Sequence, residues 1–202
     1  SAASDVYKRQ DTIQETLLEG KAIVADSHIP NGPFKVAGLP KYAYDPDKAR
    51  QLLREANFDS SVEFDMVYYY SDQFTVDLMT AIQAYLADVG VKMNFRQLQG
   101  DINAQLWTAP KDPRSGPSVV KWDMGYGAHG PLALQEYFSR YKTGELSISP
   151  ASSELDQMID TLVVTAEISE QKKIFFKIEK YMQEELVTLP LYYQQAFIYE
   201  SN

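Results

Sequence analysis

His28 and His129 are the only imidazoles in this chain, and cysteine is absent. The lack of cysteine removes disulfides, thiolate metal sites and thiol nucleophiles together. The two histidines are too far apart in sequence to form a local metal motif, and no H-x-x-x-H spacing occurs, so no metal site is expected. The nucleophile elbow G-x-S-x-G is missing, as are the phosphate-cradling patterns G-x-G-x-x-G and G-x-x-x-x-G-K-[ST]. Two acidic pairs, Asp45/Asp47 and Glu184/Glu185, have the residue types for acid–base work. Helix capping accounts for the first pair and a solvated helix face for the second. The chain is therefore not expected to be an enzyme, and no cofactor is implied.

Tyrosine carries more information. Its 14 copies gather at Tyr68–Tyr69–Tyr70, at Tyr126 and at Tyr192–Tyr193. A phenol has a broad apolar face and one polar tip, which suits the binding of polar organic ligands. The competing reading is that half of each cluster packs inward and the rest covers strand ends. Acidic residues outnumber basic ones by 28 to 19, a net charge of −9. Without a basic cluster to neutralise phosphates, a nucleic-acid partner is not expected. No apolar run approaches the ~18 residues of a bilayer-spanning helix. A chain of 202 residues with 45% apolar content suits one domain with an ordinary core, or one lobe of a larger protein.

The elements that must position these aromatics follow from periodicity. "VEFDMVYYY", residues 62–70, sets Val62, Phe64, Met66 and Tyr68 on one side, which predicts a strand. Residues 73–89 place Phe74, Leu78, Ile82, Tyr85, Leu86 and Val89 on one helical face, closed by Gly90. "VKMNFRQL", 91–98, alternates again, so 62–98 reads as a βαβ unit with a right-handed crossover. Before it, "YDPDKARQLLREANF" reads as a helix over 46–56. Asp45 is its N-cap, Pro46 its first residue and Asp47 sits near the positive end of its dipole. Asn57 is the predicted C′ residue, with Phe58 folding back on the last turn. Further helices are predicted at 12–19, 101–108, 132–141, 153–166 and 169–186, the last capped by Ser169. "VADSHIPNGPFKVAGLP" and 109–118 read as loops, 121–128 as a strand running into a glycine-rich turn, and 187–200 as a final extended segment.

Residues 1–10 stand apart, with no periodicity and no core pattern. Back-translated, "AASDVYKRQ" matches a common transposase-based sequencing adapter. Residues 1–10 are thus read as a library artefact rather than native sequence. The natural protein is expected to continue N-terminally, with any signal peptide or lipid anchor in that part.

Four stretches together resemble the large extracytoplasmic solute-binding proteins of ABC importers, of the oligopeptide/dipeptide/nickel-binding kind (family 5 type). "YAYDPDKARQLLREANF" is similar to that family's Y-D-P-x-K-A-x-x-L-L-x-x-A-G-[FY] segment, with Asn57 in place of the usual glycine. "MTAIQAYLADVGVKMNFRQL" resembles its A-x-x-[IV]-Q-x-x-L-x-x-[IV]-G-[IV]-x-[VM] segment. "KWDMGYGAHGPL" is similar to its F-D-[ML]-x-x-x-G strand and ligand-side turn, and "EISEQKKIFFKIEKYMQEELVTLPLYY" to its closing helix and [IL]-P-L-[YF]-Y strand. The resemblance implies an α/β fold: one lobe of a two-lobed periplasmic-binding-protein (type II-like) architecture, with a mixed sheet flanked by helices. Residues 11–187 would form the C-terminal ligand-binding lobe, and 188–202 a strand returning toward a hinge and an N-terminal lobe. The implied partners are ABC permease subunits and a small-molecule solute, whether peptide, oligosaccharide or chelate, in a periplasmic or membrane-anchored extracellular setting; the alternatives on this scaffold are the ligand-sensing domain of a regulator and, after it, a hydrolase. Ligands of open α/β sheets sit at the carboxyl ends of the strands. That expectation selects Tyr69, Tyr70 and Ser71 after the first strand, and Tyr126, Gly127, Ala128 and His129 after the third. Relatives that bind free peptides commonly carry an aspartate in the turn after the F-D-[ML] strand. Here Met124 to Gln135 contains no acid, and His129 occupies that neighbourhood.

Overall fold

The computed structural model describes residues 22–39, 45–106, 121–130, 136–146 and 148–194. The predicted helix at 12–19, the loop at 109–118 and the end of the chain lie outside them. In chain order the elements are β1 (Ala22–Val24), α1 (Pro46–Glu55), β2 (Glu63–Tyr68), α2 (Gln73–Asp88), β3 (Lys92–Gln97), α3 (Ile102–Leu106), β4 (Met124–Tyr126), α4 (Glu136–Ser139), α5 (Ser153–Val164), α6 (Ile168–Glu184) and β5 (Tyr192–Gln194). Parallel and antiparallel pairing both occur, in two separate sheets. One is parallel throughout in the order β3-β2-β4; the other is an antiparallel β1–β5 ribbon.

Strand alternation sorts β2 onto two faces. Phe64, Met66 and Tyr68 join Ala49 and Leu53 of α1 and Leu78, Met79, Ile82 and Leu86 of α2 in one core. Val67 and Tyr69 point to the other side, where Leu98, Ile102, Leu106 and Trp122 cover them. The parallel sheet is thus covered on both faces, as parallel sheets require. A separate core lies among α4, α5, α6 and the loop after β1, built on Phe138, Tyr141, Leu155, Ile159, Phe175, Ile178 and Met182. Full burial of Phe138 and Phe175 contributes about 2–3 kcal/mol each relative to exposure.

The helix ends set the geometry. Asp45 accepts from the Lys48 N–H at 2.8 Å, with Pro46 in the first turn. At the other end Asn57 takes φ +49°. The Asn57 N–H donates to the Arg54 carbonyl and the Phe58 N–H to the Leu53 carbonyl, which is the Schellman pattern. Phe58 and Leu53 meet in the same core, as the sequence predicts. Gly90, at φ +88°, ends α2 the same way, with the Val91 N–H returning to the Leu86 carbonyl at 2.9 Å. Gly125 answers a different need: a Cβ there would meet Leu106 Cδ2 at 3.3 Å and the Trp122 ring at 3.6 Å.

Two expectations are corrected. Ser169 is not the N-cap of the last helix. That helix begins one residue earlier, its N-cap is Glu167 without a side-chain capping bond, and the Gln171 amide instead reaches back to the Thr165 carbonyl at 2.7 Å. The loop predicted from Val24 onward also begins inside a strand, because Val24, with Ala22 and Ile23 before it, pairs with Tyr192, Gln194 and Tyr193 respectively. Three residues carry too little alternation to announce a strand, and the partner lies at the far end of the chain.

Candidate functional site

Register brings the predicted residues to one end of the parallel sheet. Tyr68 is the Cα partner of both Gln97 and Tyr126, so the carboxyl ends of all three strands are level. Beyond that level the chain must leave the sheet, and the first residues to leave β2 are Tyr69, Tyr70 and Ser71. Tyr68 itself is buried, so one member of the triple tyrosine does pack inward.

The remaining tyrosines form a contiguous wall. The Tyr69 and Tyr70 rings lie 4.3 Å apart between centroids, and their hydroxyls hydrogen-bond at 2.9 Å. Tyr70 stands edge-on to Tyr126 at 5.8 Å, and the Ala128 N–H donates to the Tyr70 hydroxyl at 2.8 Å. Beneath them the Gln97 amide donates to the Tyr70 carbonyl at 3.2 Å. The Tyr126 hydroxyl pairs with that of Tyr192 at 2.5 Å, and Phe74 closes the row edge-on to Tyr192 at 6.0 Å. Each phenol has one proton. Each bonded pair uses one of its two protons internally and keeps one hydroxyl proton to donate elsewhere.

Electrostatics keep these phenols neutral. Burial pushes Tyr126 far above the usual tyrosine value, and the adjoining Tyr192 adds to the shift. Burial likewise raises Tyr70, reinforced by its bond to Tyr69, and raises Tyr192. None ionises at neutral pH.

His129 is set apart from the row. Its exposed side chain turns toward α4, edge-on to Tyr137 with centroids 5.6 Å apart. Loss of water around the ring, with repulsion from Arg140, lowers its pKa to about 4, so it too is neutral at pH 7. Ser71 and Gly127 are exposed beside the wall. The structure thus gathers Tyr69, Tyr70, Tyr126 and Ala128 and places His129 at the α4 end. Sequence reasoning passed over Tyr192, Phe74 and Gln97 as site residues. Tyr192 stood out as part of a tyrosine pair, but the pairing of its hydroxyl with that of Tyr126 was not readable.

His28, the other imidazole, serves structure. Its ring Nε2 bonds to the Thr188 hydroxyl, and its backbone N–H donates to the Glu179 carboxylate at 3.0 Å. Among the described residues no group of three or more His, Cys, Asp or Glu side chains could hold a metal, and no helix is long and apolar enough to cross a membrane.

Known proteins resemble this chain in sequence and fold. A sequence model of the bacterial extracellular solute-binding proteins, family 5 (middle region), matches residues 10–142. A Brucella ovis protein, named as a candidate ABC transporter peptide-binding protein, is 36% identical over 93 residues, 42% of this chain and 16% of its own length. Among solved structures, the ABC transporter substrate-binding protein CtaP of Listeria monocytogenes superposes with a TM-score of 0.79 at 18% identity, over 96% of this chain and 39% of its own. Brucella suis NikA, in complex with Fe(III)-EDTA, gives 0.75 at 21%, over 96% and 41%. The oligopeptide-binding protein AppA of Bacillus subtilis, with a nonapeptide, gives 0.74 at 19%, over 95% and 40%. These likenesses fix the fold, and the chain spans well under half the length of each of these proteins.

Proposed function

Because this chain belongs to the bacterial extracellular solute-binding proteins of family 5, we propose that it is the C-terminal lobe of an ABC importer's receptor. In this reading residues 11–187 form the lobe, and the segment from 188 onward returns toward a hinge. The receptor captures a peptide, or a similarly small polar solute such as an oligosaccharide or chelate, between two lobes. It then delivers the solute to the permease subunits from a periplasmic or membrane-anchored extracellular position. The observation that supports this most is the tyrosine wall at the level ends of β2 and β4. Its ring faces offer apolar contact and its spare hydroxyl protons offer donors, a combination that holds polar organic solutes. Among the described residues the wall presents phenol faces and hydroxyls to a solute, the surfaces of a grip. Closure of a second lobe over it would exclude water and strengthen each of those hydrogen bonds.

The test uses the intact protein. Native mass spectrometry identifies a co-purifying solute, which is released and titrated back by calorimetry. Tyr70→Ala, which removes the centre of the wall, is expected to weaken that solute at least tenfold. A receptor that carries no solute and binds none from peptide, oligosaccharide and chelate panels would refute the proposal.

A further inference from the structure

On the basis of the receptor reading, we propose that the tyrosine wall selects a neutral, polyhydroxylated ring solute, a short oligosaccharide, which it grips by ring stacking and hydroxyl-to-hydroxyl hydrogen bonds. A pyranose presents C–H groups on its faces and hydroxyls around its rim, and each hydroxyl both donates and accepts. The wall offers the complement of both. Tyr69, Tyr70, Tyr126, Tyr192 and Phe74 are all half-buried, so each keeps surface for a solute. Ring centroids lie 4.3 Å apart from Tyr69 to Tyr70, 5.8 Å from Tyr70 to Tyr126 and 6.0 Å from Tyr192 to Phe74. The row is several rings long, which suits a chain of sugar units better than a single one.

The hydroxyls are arranged for exchange. Tyr69 bonds Tyr70 at 2.9 Å and Tyr126 bonds Tyr192 at 2.5 Å, so each pair holds one proton for a solute and lone pairs to accept another. They are also held in advance. The Ala128 N–H fixes the Tyr70 hydroxyl at 2.8 Å and the Gln97 amide fixes the Tyr70 carbonyl at 3.2 Å, so little freedom is lost when a solute docks. Charge points the same way. Burial keeps Tyr70, Tyr126 and Tyr192 protonated. A charged group closed against them would give up its water for dipoles alone, whereas a hydroxyl trades one hydrogen bond for its like. Asp72, at the Phe74 end, is taken up with α2. Its Oδ1 accepts the Thr75 N–H at 2.8 Å, and the Thr75 hydroxyl lies 3.0 and 3.1 Å from its two oxygens. Phenol faces do attract cations, which makes an ammonium-bearing sugar or peptide the sharpest competitor.

The intact protein is titrated by calorimetry with neutral di- to tetrasaccharides of glucose, mannose, galactose and xylose. The competitors are the glucosamine trimer, which carries ammonium groups, the galacturonate trimer, which carries carboxylates, and tripeptides of Ala, Lys, Glu and Tyr. A neutral saccharide is expected to bind at least tenfold more tightly than either charged trimer or any tripeptide. Tyr69→Phe keeps the ring and removes its hydroxyl, and should weaken that saccharide about three- to tenfold, the worth of one neutral hydrogen bond. Tyr69→Ala removes the ring as well and should weaken it further, with melting temperatures recorded in parallel to show that both variants are folded. Tighter binding of a tripeptide or a charged trimer than of every neutral saccharide overturns the oligosaccharide assignment and leaves the receptor reading standing. A dissociation constant unchanged in both variants overturns the wall as the place of contact. Binding of no probe overturns the assignment, and the receptor reading falls with it only if the protein also carries no co-purifying solute and binds no chelate.

Discussion

His129 is an exposed imidazole whose pKa is nonetheless lowered to about 4 by lost hydration and by Arg140. The shift fixes the sign of its contribution to pH dependence. Between the unfolded value near 6.5 and the folded value near 4 the unfolded chain binds the extra proton, so stability falls as pH drops through that window. His129→Gln should flatten the slope of urea stability over pH 6.5 to 4 and leave stability at pH 8 unchanged. An identical slope in the variant would mean the ring titrates normally. The same exposure argues that His129→Ala weakens solute binding without lowering the melting temperature, since among the described residues its ring meets the edge of Tyr137 and the Glu136 backbone at the surface; an unchanged dissociation constant for the co-purified solute would remove His129 from the site. Tyr69, Tyr70 and Tyr126 were legible because strand alternation marks where β2 and β4 end, with Tyr69 and Tyr70 just past β2 and Tyr126 the last residue of β4. Tyr192 and Phe74 were not, because their place in the wall depends on the contacts of Tyr192 with Tyr126 and Phe74, which lie far away in sequence and leave no mark in its local pattern.

Among the described residues three helices end on a residue in the left-handed region, and the residue types differ: Gly90 after α2, Asn57 after α1 and Leu186 after α6, at φ +88°, +49° and +52°. Glycine holds that conformation freely, asparagine tolerates it, and leucine is strained by about 1–2 kcal/mol. Leu186 is half-buried, and the backbone motif is intact, with the Val187 N–H donating to the Met182 carbonyl at 3.2 Å. Leu186→Gly should therefore raise stability by about 1 kcal/mol and Asn57→Gly by less, roughly 0.5 kcal/mol. Both would be read from urea midpoints at constant slope. A loss on Leu186→Gly would show that the side chain's packing outweighs its backbone strain. For the described helices α1, α2, α5 and α6, existence was legible from the 3.6-residue period. The start of α6 was not, because Ser169 followed by Glu170 and Gln171 imitates a cap, while the chain turns helical at Ile168 through backbone bonds from Glu170 and Gln171 to the Glu167 carbonyl.

At the scale of the whole molecule, the sheet layer and the helical layer have separate cores, so something other than a shared interior must fix one against the other. The β1–β5 ribbon and the loop that follows it do this. Leu189, Leu191 and Tyr192, in and before β5, pack on the sheet core, while Ile29, Phe34 and Val36, beyond β1, pack on the helical core. The turn between is pinned by side chains from distant sequence. The Tyr193 hydroxyl donates to the Ser27 carbonyl at 2.6 Å, and Lys35 reaches that hydroxyl at 2.9 Å. Glu179, wholly buried on α6, accepts the N–H groups of His28 and Ile29, both at 3.0 Å. A carboxylate buried without a full ionic partner is costly, and this one is retained where two backbone donors would otherwise be stranded. Periodicity marks position 179 as one more polar residue between Ile178 and Lys180, so its burial could not be read in advance. Glu179→Ala strands both donors at about 1–3 kcal/mol each, and should cost roughly 3 kcal/mol in all. Glu179→Gln should recover part of that, because an amide oxygen can take one of the two N–H groups while its NH2 faces the other. Hydrogen exchange at His28 and Ile29 should accelerate in Glu179→Ala while exchange in β2 and β3 follows only the global loss. Protection lost equally everywhere would mean that the two layers unfold as one body and that Glu179 is not their fastener.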